Sequence, residues 1–281
     1  MEGFLTIKEV IEKYIQGCQA KFRQSSWNIF GKGILAGAMI ALGAGISSVA
    51  AHTVADVGLA RLAAAVVFPM GLMMVILLGA ELFTGDCLAA VCLFDKKAKI
   101  GQVIKLLATV FAGNFVGATL IALLISLSGQ WNYSAGMLGA YTIKVALGKV
   151  NISFVQGIVS GILCNILVCA AVLMAMCAKD ITGKLLASFF MIMLFVTGGF
   201  EHCVANMYYI GAGLLAAQNT AYVQLAMETY GYSAAYNSTL NWTGYLVTNL
   251  IPVTIGNMLG GMCFVAAPLY YLNNRKGNGA Q

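Results

Sequence analysis

Charged side chains are scarce in this chain of 281 residues. Asp, Glu, Lys and Arg make up 9% of it and hydrophobic residues 60%, whereas a soluble globular domain carries about a quarter charged residues. The shortage excludes an ordinary soluble domain and indicates a polytopic membrane protein. The net charge of +6 is not gathered on an amphipathic aromatic face, so we interpret the basic residues as determinants of membrane topology and expect no nucleic-acid partner.

Cysteine pairs of the CxxC type are also absent. Most of the eight cysteines lie in apolar runs, where free cysteine packs as a small hydrophobic side chain. We therefore expect no disulfide framework, no metal site and no cofactor. A membrane-bound redox subunit or enzyme would need several histidine or cysteine ligands at metal spacing, and of the two histidines only His202 lies inside an apolar run. We predict that the chain is not an enzyme.

The first 26 residues lack the long apolar core of a cleavable signal peptide. They contain three acidic residues, and their apolar residues recur at helical spacing between Leu5 and Ile15. This pattern predicts an amphipathic helix within 1–26 that lies on the membrane surface or packs against the bundle.

Six apolar runs are long enough to cross a bilayer, which takes about 20 residues. They lie near 29–51, 62–94, 101–128, 153–178, 184–213 and 243–272. The second and fifth runs are too long for one simple span and have polar residues in the middle. We expect one membrane domain over 1–281, with 273–281 as a cytoplasmic tail.

Basic residues are distributed unequally between the two sides of the predicted bundle. Of the 16 Lys and Arg residues, only Arg61, Lys144 and Lys149 fall on one side, and the other 13 fall on the opposite side. Loops rich in Lys and Arg stay in the cytoplasm. We therefore expect a multi-pass protein of the cytoplasmic (inner) membrane with both termini in the cytoplasm.

Short motifs recur in the same order in the two halves of the chain. The pairs are GILAG (33–37) with GIVSG (157–161), GAELF (79–83) with GGFEH (198–202), and GNFVG (113–117) with GNMLG (256–260). We interpret them as two three-span repeats, 29–128 and 153–272, which an odd number of spans forces into opposite orientations. The predicted fold is all-α, with six transmembrane helices in two inverted repeats and broken second and fifth helices.

The two broken helices predict the place of a transport site. Their interruptions are LFTGDC (82–87) and TGGFEHC (197–203). Such breaks survive in lipid only where protein surrounds them or where they line a cavity, and paired breaks in matching repeats mark transport sites. The second half-helix of each pair offers free N–H groups and a partial positive charge, which suit an anion.

Ionisable residues inside a bilayer are costly, and two of them are candidates for function. We predict that His202 donates a hydrogen bond to a passing anion and serves as a proton donor. We predict that Lys149 draws anions into a vestibule. The alternatives are a neutral imidazole bonded to a neighbouring helix and a solvated loop lysine.

Four polar residues at the breaks are expected to be structural. A carboxylate on an anion path would repel the substrate, so Glu81 and Glu201 should point away and accept hydrogen bonds from the broken backbone. Asp86 is expected to cap the second half-helix of the second span. Asn206 belongs to the same structural group.

Four segments together resemble the formate/nitrite transporter family. They are GAELFTGD, LGKVNISF, LCNILVCAAVLMA and GGFEHCVANM, and the resemblance runs in order from about Phe30 to Tyr271. It implies a homopentamer in which each protomer has an aquaporin-like six-span fold and its own pore.

The resemblance also implies roles for individual residues. The central histidine of the family falls on His202, its hydrogen-bonding threonine on Thr84, its vestibule lysine on Lys149 and its pore asparagine on Asn165. Its constrictions correspond to Phe68, Leu72 and Leu82, with Phe195 opposite. One departure is Asp86, where many members carry asparagine.

The function that these expectations favour is passage of a small monovalent anion across the bilayer, formate first, with protonation or proton co-transport at His202. Nitrite and hydrosulfide are close alternatives within the family. A neutral-solute pore of the aquaporin type would need an NPA motif at each half-helix junction, and the chain has none.

Overall fold

The structure, a computed structural model, describes residues 3–273. Its helices are α1 (Ile7–Phe22), α2 (Ser26–Ala51), α3 (Val57–Leu78), α4 (Phe83–Phe94), α5 (Ile100–Leu127), α6 (Met137–Val150), α7 (Phe154–Cys177), α8 (Ile181–Gly198), α9 (Cys203–Ala216), α10 (Thr220–Tyr230) and α11 (Gly244–Asn273). Single helical turns, Gln130–Asn132 and Ala234–Asn237, precede α6 and α11. Of the predicted tail 273–281, all but Asn273 lies outside the described residues.

Within the described part of the chain, six helices are long and apolar enough to cross a membrane: α2, α3, α5, α7, α8 and α11. The shorter apolar helices α4 and α9 follow α3 and α8 after the interruptions 79–82 and 199–202. The predicted all-α fold, with six spans and a broken second and fifth helix, is confirmed. The second span begins at Val57, earlier than predicted, because Asp56 accepts a hydrogen bond from the N–H of Leu59 and caps the helix there.

The amphipathic helix α1 packs against the bundle. Its first turn is fixed by a capping box between Thr6 and Glu9, and its apolar face contacts α4 and α7. The buried residues on that face are Val10, Ile11, Tyr14, Ile15 and Cys18. Burial of each large apolar side chain contributes roughly 1.5–3 kcal/mol, so docking on the bundle explains the helical periodicity.

Two further helices, α6 and α10, lie where the sequence analysis found no span, because both are shorter than a membrane crossing. Gly136, at φ 88°, precedes α6, and Gly231, at φ 69°, ends α10. α6 packs closely on α9, where a Cβ on Gly213 would overlap Ala146. Lys149 therefore lies in the last turn of a helix, and the alternative of a solvated loop lysine is wrong for the fold of this segment.

Small residues set the close approach of α2 to α5 in the first repeat and of α7 to α11 in the second. A Cβ on Gly113 would overlap the carbonyl oxygen of Phe30, and a Cβ on Gly256 would overlap that of Ile158. Gly33 lies against Gly113 and Asn114, and Gly161 lies against Gly256 and Asn257, so Gly33 and Gly161 occupy the same place in the two repeats. The register of the predicted GILAG/GIVSG match, which paired Gly33 with 157, is thus wrong by one helical turn, because small residues recur along α7 at both positions.

Candidate functional site

The two interruptions have the same backbone geometry. α3 ends at Gly79, with φ 67° and ψ 32°, and α8 ends at Gly199, with φ 68° and ψ 27°. Only glycine adopts this left-handed conformation without a steric penalty. In both repeats, three non-helical residues follow before the second half-helix starts, at Phe83 in α4 and at Cys203 in α9.

One asparagine holds each interruption. Asn114 accepts a hydrogen bond from the Phe83 N–H through Oδ1 (2.9 Å) and donates through Nδ2 to the carbonyl oxygens of Glu81 (3.0 Å) and Gly33 (2.8 Å). Because an unpaired backbone group is costly in lipid, this side chain makes the break stable.

Asn257 makes the same three hydrogen bonds in the second repeat. Oδ1 accepts from the Cys203 N–H (2.9 Å), and Nδ2 donates to the carbonyl oxygens of Glu201 (3.0 Å) and Gly161 (2.8 Å). Sequence reasoning missed both asparagines as site residues. The signal was present, since Asn follows the first Gly in both GNFVG and GNMLG.

His202 and Thr84 meet where the two breaks face each other. The imidazole Nε2 lies 2.9 Å from the Thr84 hydroxyl, and Nδ1 accepts a hydrogen bond from the Ala205 N–H at 3.0 Å. A backbone N–H only donates, so Nδ1 carries no proton and the ring proton of the neutral imidazole lies on Nε2. His202 therefore donates to Thr84, which leaves the hydroxyl hydrogen of Thr84 for another acceptor.

Asn165 lies behind this pair. Its Nδ2 donates to the carbonyl oxygens of Thr84 (3.1 Å) and Asn257 (2.6 Å), and the residue is fully buried. It does not line either of the cavities described below. Its amide fixes the backbone of Thr84, and its place in the substrate pathway stays a prediction.

A first cavity of about 150 Å³ reaches His202 from the side of α6. Lys149 lines it and is paired with Glu201, with Nζ 3.0 Å from Oε1 and 3.2 Å from Oε2. The ammonium also lies 5.3 Å from the centre of the Tyr209 ring. Lys149 and His202 thus line the same cavity, with Glu201 beside the lysine.

Glu201 accepts its hydrogen bonds from side chains. Besides Lys149, Asn206 donates to Oε2 at 2.5 Å and Asn249 donates at 3.3 Å. The expectation that this carboxylate would accept from the broken backbone is wrong, because Asn257 and Ser160 already satisfy the backbone around residue 201. Asn206, which also donates to Asn249 at 2.8 Å, has the structural place expected of it.

Four apolar side chains separate the first cavity from a second one. Phe68 and Phe195 line the first, with ring centres 5.5 Å apart in an edge-to-face contact, and Leu72 and Leu82 line the second. All four are at least 96% buried. Phe195 also stacks on the imidazole of His202 at 5.8 Å. Large apolar side chains in such positions exclude hydrated ions.

The second cavity, of about 340 Å³, lies between α1, α3, α4 and α7. Lys21 of α1 contacts two carboxylates there, Glu81 Oε2 at 2.5 Å and Asp86 Oδ1 at 2.6 Å. Burial opposes the charge on Lys21, but Asp86 and Glu81 outweigh it and raise the pKa of the ammonium above its usual value. The sequence analysis missed Lys21 because nothing in the sequence indicates which basic residue α1 brings to the break.

Two expectations about these acids are therefore wrong. Asp86 does not cap α4. Asn114 instead accepts a hydrogen bond from the Phe83 N–H, the first of that helix. Glu81 binds a lysine instead of the broken backbone, whose nearby groups bond to Asn114 and to the carbonyl oxygen of Lys32. In both repeats an asparagine from the third span leaves the acid free for an ion pair.

Comparison with known proteins identifies the family. The model of the formate/nitrite transporter family matches residues 8–271. The chain belongs to the formate/nitrite transporter family. It is 37% identical over 248 residues to the formate channel FocA of Haemophilus influenzae, with 86% of each chain covered. It is 34% identical to a probable formate transporter of Methanothermobacter thermautotrophicus, with 84% of this chain and 85% of the relative covered.

Two solved structures are similar to this formate/nitrite transporter family member. One, described as a pentameric formate channel with formate bound, superposes with a TM-score of 0.79 at 30% identity and covers 88% of this chain and 96% of its own. The other, described as an ion channel of the same family, gives 0.80 at 27% identity and covers 94% and 98%. The protein is thus a multi-pass membrane protein of a family of channels and transporters.

Proposed function

We propose that the chain conducts a small monovalent anion, formate first, along a path from one cavity to the other past Thr84 and His202. The observation that carries this proposal is the Thr84–His202 pair, a buried polar contact of 2.9 Å whose imidazole stacks on Phe195. The relatives named as formate channels and formate transporters support formate as the first substrate.

Lys149 and the Thr84 hydroxyl act on the anion in sequence. A bare anion inside a bilayer is costly, and an ammonium in the first cavity raises the local anion concentration. The free hydroxyl hydrogen of Thr84 then replaces part of the water that a carboxylate loses at the phenylalanine constriction. A proton that enters from solution with the anion, as in proton co-transport, converts it beside His202 into the neutral acid, which passes the apolar side chains, while the neutral imidazole itself donates only a hydrogen bond.

Nitrite and hydrosulfide are the alternative substrates. Both are small monovalent anions of weak acids, so the same lysine, hydroxyl and imidazole suit them. A relative from Plasmodium vivax named as a formate-nitrite transporter, 27% identical over 281 residues, supports nitrite.

Assembly and orientation follow the same proposal. The chain forms a homopentamer. The similar pentameric channel supports this assembly, and so does the exposure of α8, of which 17% is buried within one protomer. Both termini lie in the cytoplasm at the inner membrane. In support, Arg61, Lys144 and Lys149 line cavities at one end of the bundle, and Lys21 with its neighbours lines the cavity at the other.

Uptake of isotope-labelled formate into proteoliposomes tests the function. His202→Ala and Lys149→Ala should each lower the flux by about tenfold or more, the size expected from the loss of a hydrogen bond or ion contact of roughly 1.5–3 kcal/mol. His52→Ala and Lys144→Ala are matched controls, because His52 bonds Val49 and Ser134 outside both main cavities and Lys144 lies over Tyr230. Unchanged flux in both site variants would refute the assignment.

A further inference from the structure

The two ion-pair sites at the breaks differ in their charge. In the second repeat, one ammonium, Lys149, contacts one carboxylate, Glu201. In the first repeat, one ammonium, Lys21, contacts two carboxylates, Glu81 and Asp86, which are 5% and 3% exposed. If all three groups were ionised, these three side chains together would carry a net charge of −1.

One carboxylate oxygen at this site has no partner. Asp86 Oδ1 contacts Lys21, but Oδ2 is buried and has no hydrogen-bond partner among the described residues. A buried charged oxygen without a donor is costly, and nearly all buried polar atoms in proteins are paired. A proton shared with the neighbouring acid would give this oxygen a partner.

The geometry of the two acids favours a shared proton. Their oxygens that touch the Lys21 nitrogen are at most about 5 Å apart, since each lies within 2.6 Å of it. Two ionised carboxylates cannot donate to each other. Two carboxyl groups that share a site hold one proton between them, and the pair titrates as a unit.

The groups that face this pair from the surrounding helices include both charged and uncharged side chains. The uncharged ones are the phenol of Tyr14 and the thiols of Cys18, Cys87 and Cys169. The charged ones are Lys13 of α1 and Lys184 of α8, which line the same cavity. Within residues 3–273, no ion pair joins Lys13 or Lys184 to either acid.

We propose that Glu81, Asp86 and Lys21 form a proton-binding site, in which the two acids hold one proton between them at neutral pH. With the proton bound, the triad is neutral, and the second cavity admits anions from its side. After release of the proton, the triad carries one negative charge, which offsets the attraction that Lys13 and Lys184 exert on anions in this cavity. The effect on anions rests on the proposed function, whereas the proton site itself stands on the geometry of the three side chains.

Infrared spectroscopy of the protein in lipid vesicles, with no transported anion added, tests the proton site directly. The wild-type spectrum should show the carbonyl band of a protonated carboxylic acid at neutral pH. Asp86→Asn and Glu81→Gln should each abolish this band, because either leaves one carboxylate on one ammonium, as at Lys149 and Glu201. Asp95→Asn is the control, since Asp95 accepts from Tyr270 outside the triad, and it should retain the band.

The proposal is overturned if the wild type shows no such band at neutral pH, or if the band survives in Asp86→Asn or in Glu81→Gln. The two variants are independent, so a folding defect in one leaves the other to decide. Formate does not enter this measurement. A missing band therefore says nothing about conduction, and a lack of formate flux leaves the proton site standing.

Discussion

The break at 79–82 and the break at 199–202 have the same scaffold and different chemistry. Each begins at a left-handed glycine and is held by three hydrogen bonds from one asparagine. At the position that precedes the second half-helix, however, the first break has Leu82 and the second has His202. The comparison teaches that the repeat supplies the geometry, while single substitutions supply an apolar constriction on one side and a hydrogen-bonding group on the other.

The lysines of the two breaks also differ in origin. Lys149 comes from α6 within the membrane domain, whereas Lys21 comes from α1, which precedes the first repeat. Lys149 meets one acid and Lys21 meets two. The lysine that pairs with the acid side chains at each break thus comes from an unrelated part of the chain.

Removal of the asparagine clamps should have the largest effect. Asn257→Ala leaves the Cys203 N–H and the Glu201 carbonyl without their partner, and each such buried group costs about 1–3 kcal/mol. We expect a large fall in the thermal unfolding temperature in detergent, and the same for Asn114→Ala.

Asn219→Ala is the control for these variants, because it removes an exposed asparagine that caps α10 and should cost only about 1 kcal/mol. Equal, small shifts for all three variants would show that the clamps do not hold the breaks.

His202→Leu makes the two breaks alike at the position before the half-helix. It removes the bond to Thr84 and the cap on the Ala205 N–H, and we expect formate flux to fall by about tenfold to a hundredfold. The protein should remain folded, since loss of a helix cap costs about 1 kcal/mol. Flux within about twofold of wild type would mean that the polar group at this break is dispensable.

Lys149→Met tests the steering role of the first cavity. The variant should lower formate flux by about tenfold and weaken its dependence on ionic strength, because charge attraction is screened by salt. The measurement is initial flux in proteoliposomes at low and high salt, with Lys144→Met on the same helix as control. A Lys149→Met flux that keeps the wild-type salt dependence contradicts the role.

Glycine substitutions in α7 should have the smallest effects and settle the register of the repeats. Gly161→Ala places a Cβ 2.8 Å from the carbonyl oxygen of Val253, whereas Gly157→Ala meets only side-chain atoms of Pro252 and Ile152, at 3.1 Å or more. We expect Gly161→Ala to destabilise the protein by roughly 1–3 kcal/mol and Gly157→Ala by less, as measured by thermal unfolding. If Gly157→Ala destabilised the protein more than Gly161→Ala, the GILAG/GIVSG match that pairs Gly33 with Gly157 would be correct.

Much of the fold could be predicted from the sequence, because long apolar runs and their interruptions are properties of composition. The break at 197–203 and the functional candidates His202 and Lys149 came from polar residues in apolar surroundings. The first break was predicted at 82–87 but lies at 79–82, because the helix ends at the left-handed Gly79 and resumes at Phe83. The match of Gly161 with Gly33 could not be predicted, since small residues recur along α7 at helical spacing. The helices α6 and α10 were missed because neither is long enough to be recognised as a span.

The parts of the site that escaped prediction depend on contacts between distant residues. Asn114 and Asn257 stood in recognised motifs, but their role depends on which backbone groups the breaks leave open. Asp86 was expected to cap a helix. Its partner in the structure, Lys21, lies 65 positions away on another helix, so the local sequence contains no sign of it. Local sequence reports the presence of a polar group and not the partner that the fold brings to it.

The most direct test of the transport pathway is nitrogen NMR of His202 in lipid. His52→Ala leaves a single histidine in the chain, so its ring nitrogens can be observed without overlap. The account predicts a neutral ring with its proton on Nε2, and a saturable shift of the Nε2 signal when formate is added but not when glycerol is added. A ring protonated on Nδ1, or Nε2 signals that formate leaves unchanged, would contradict it.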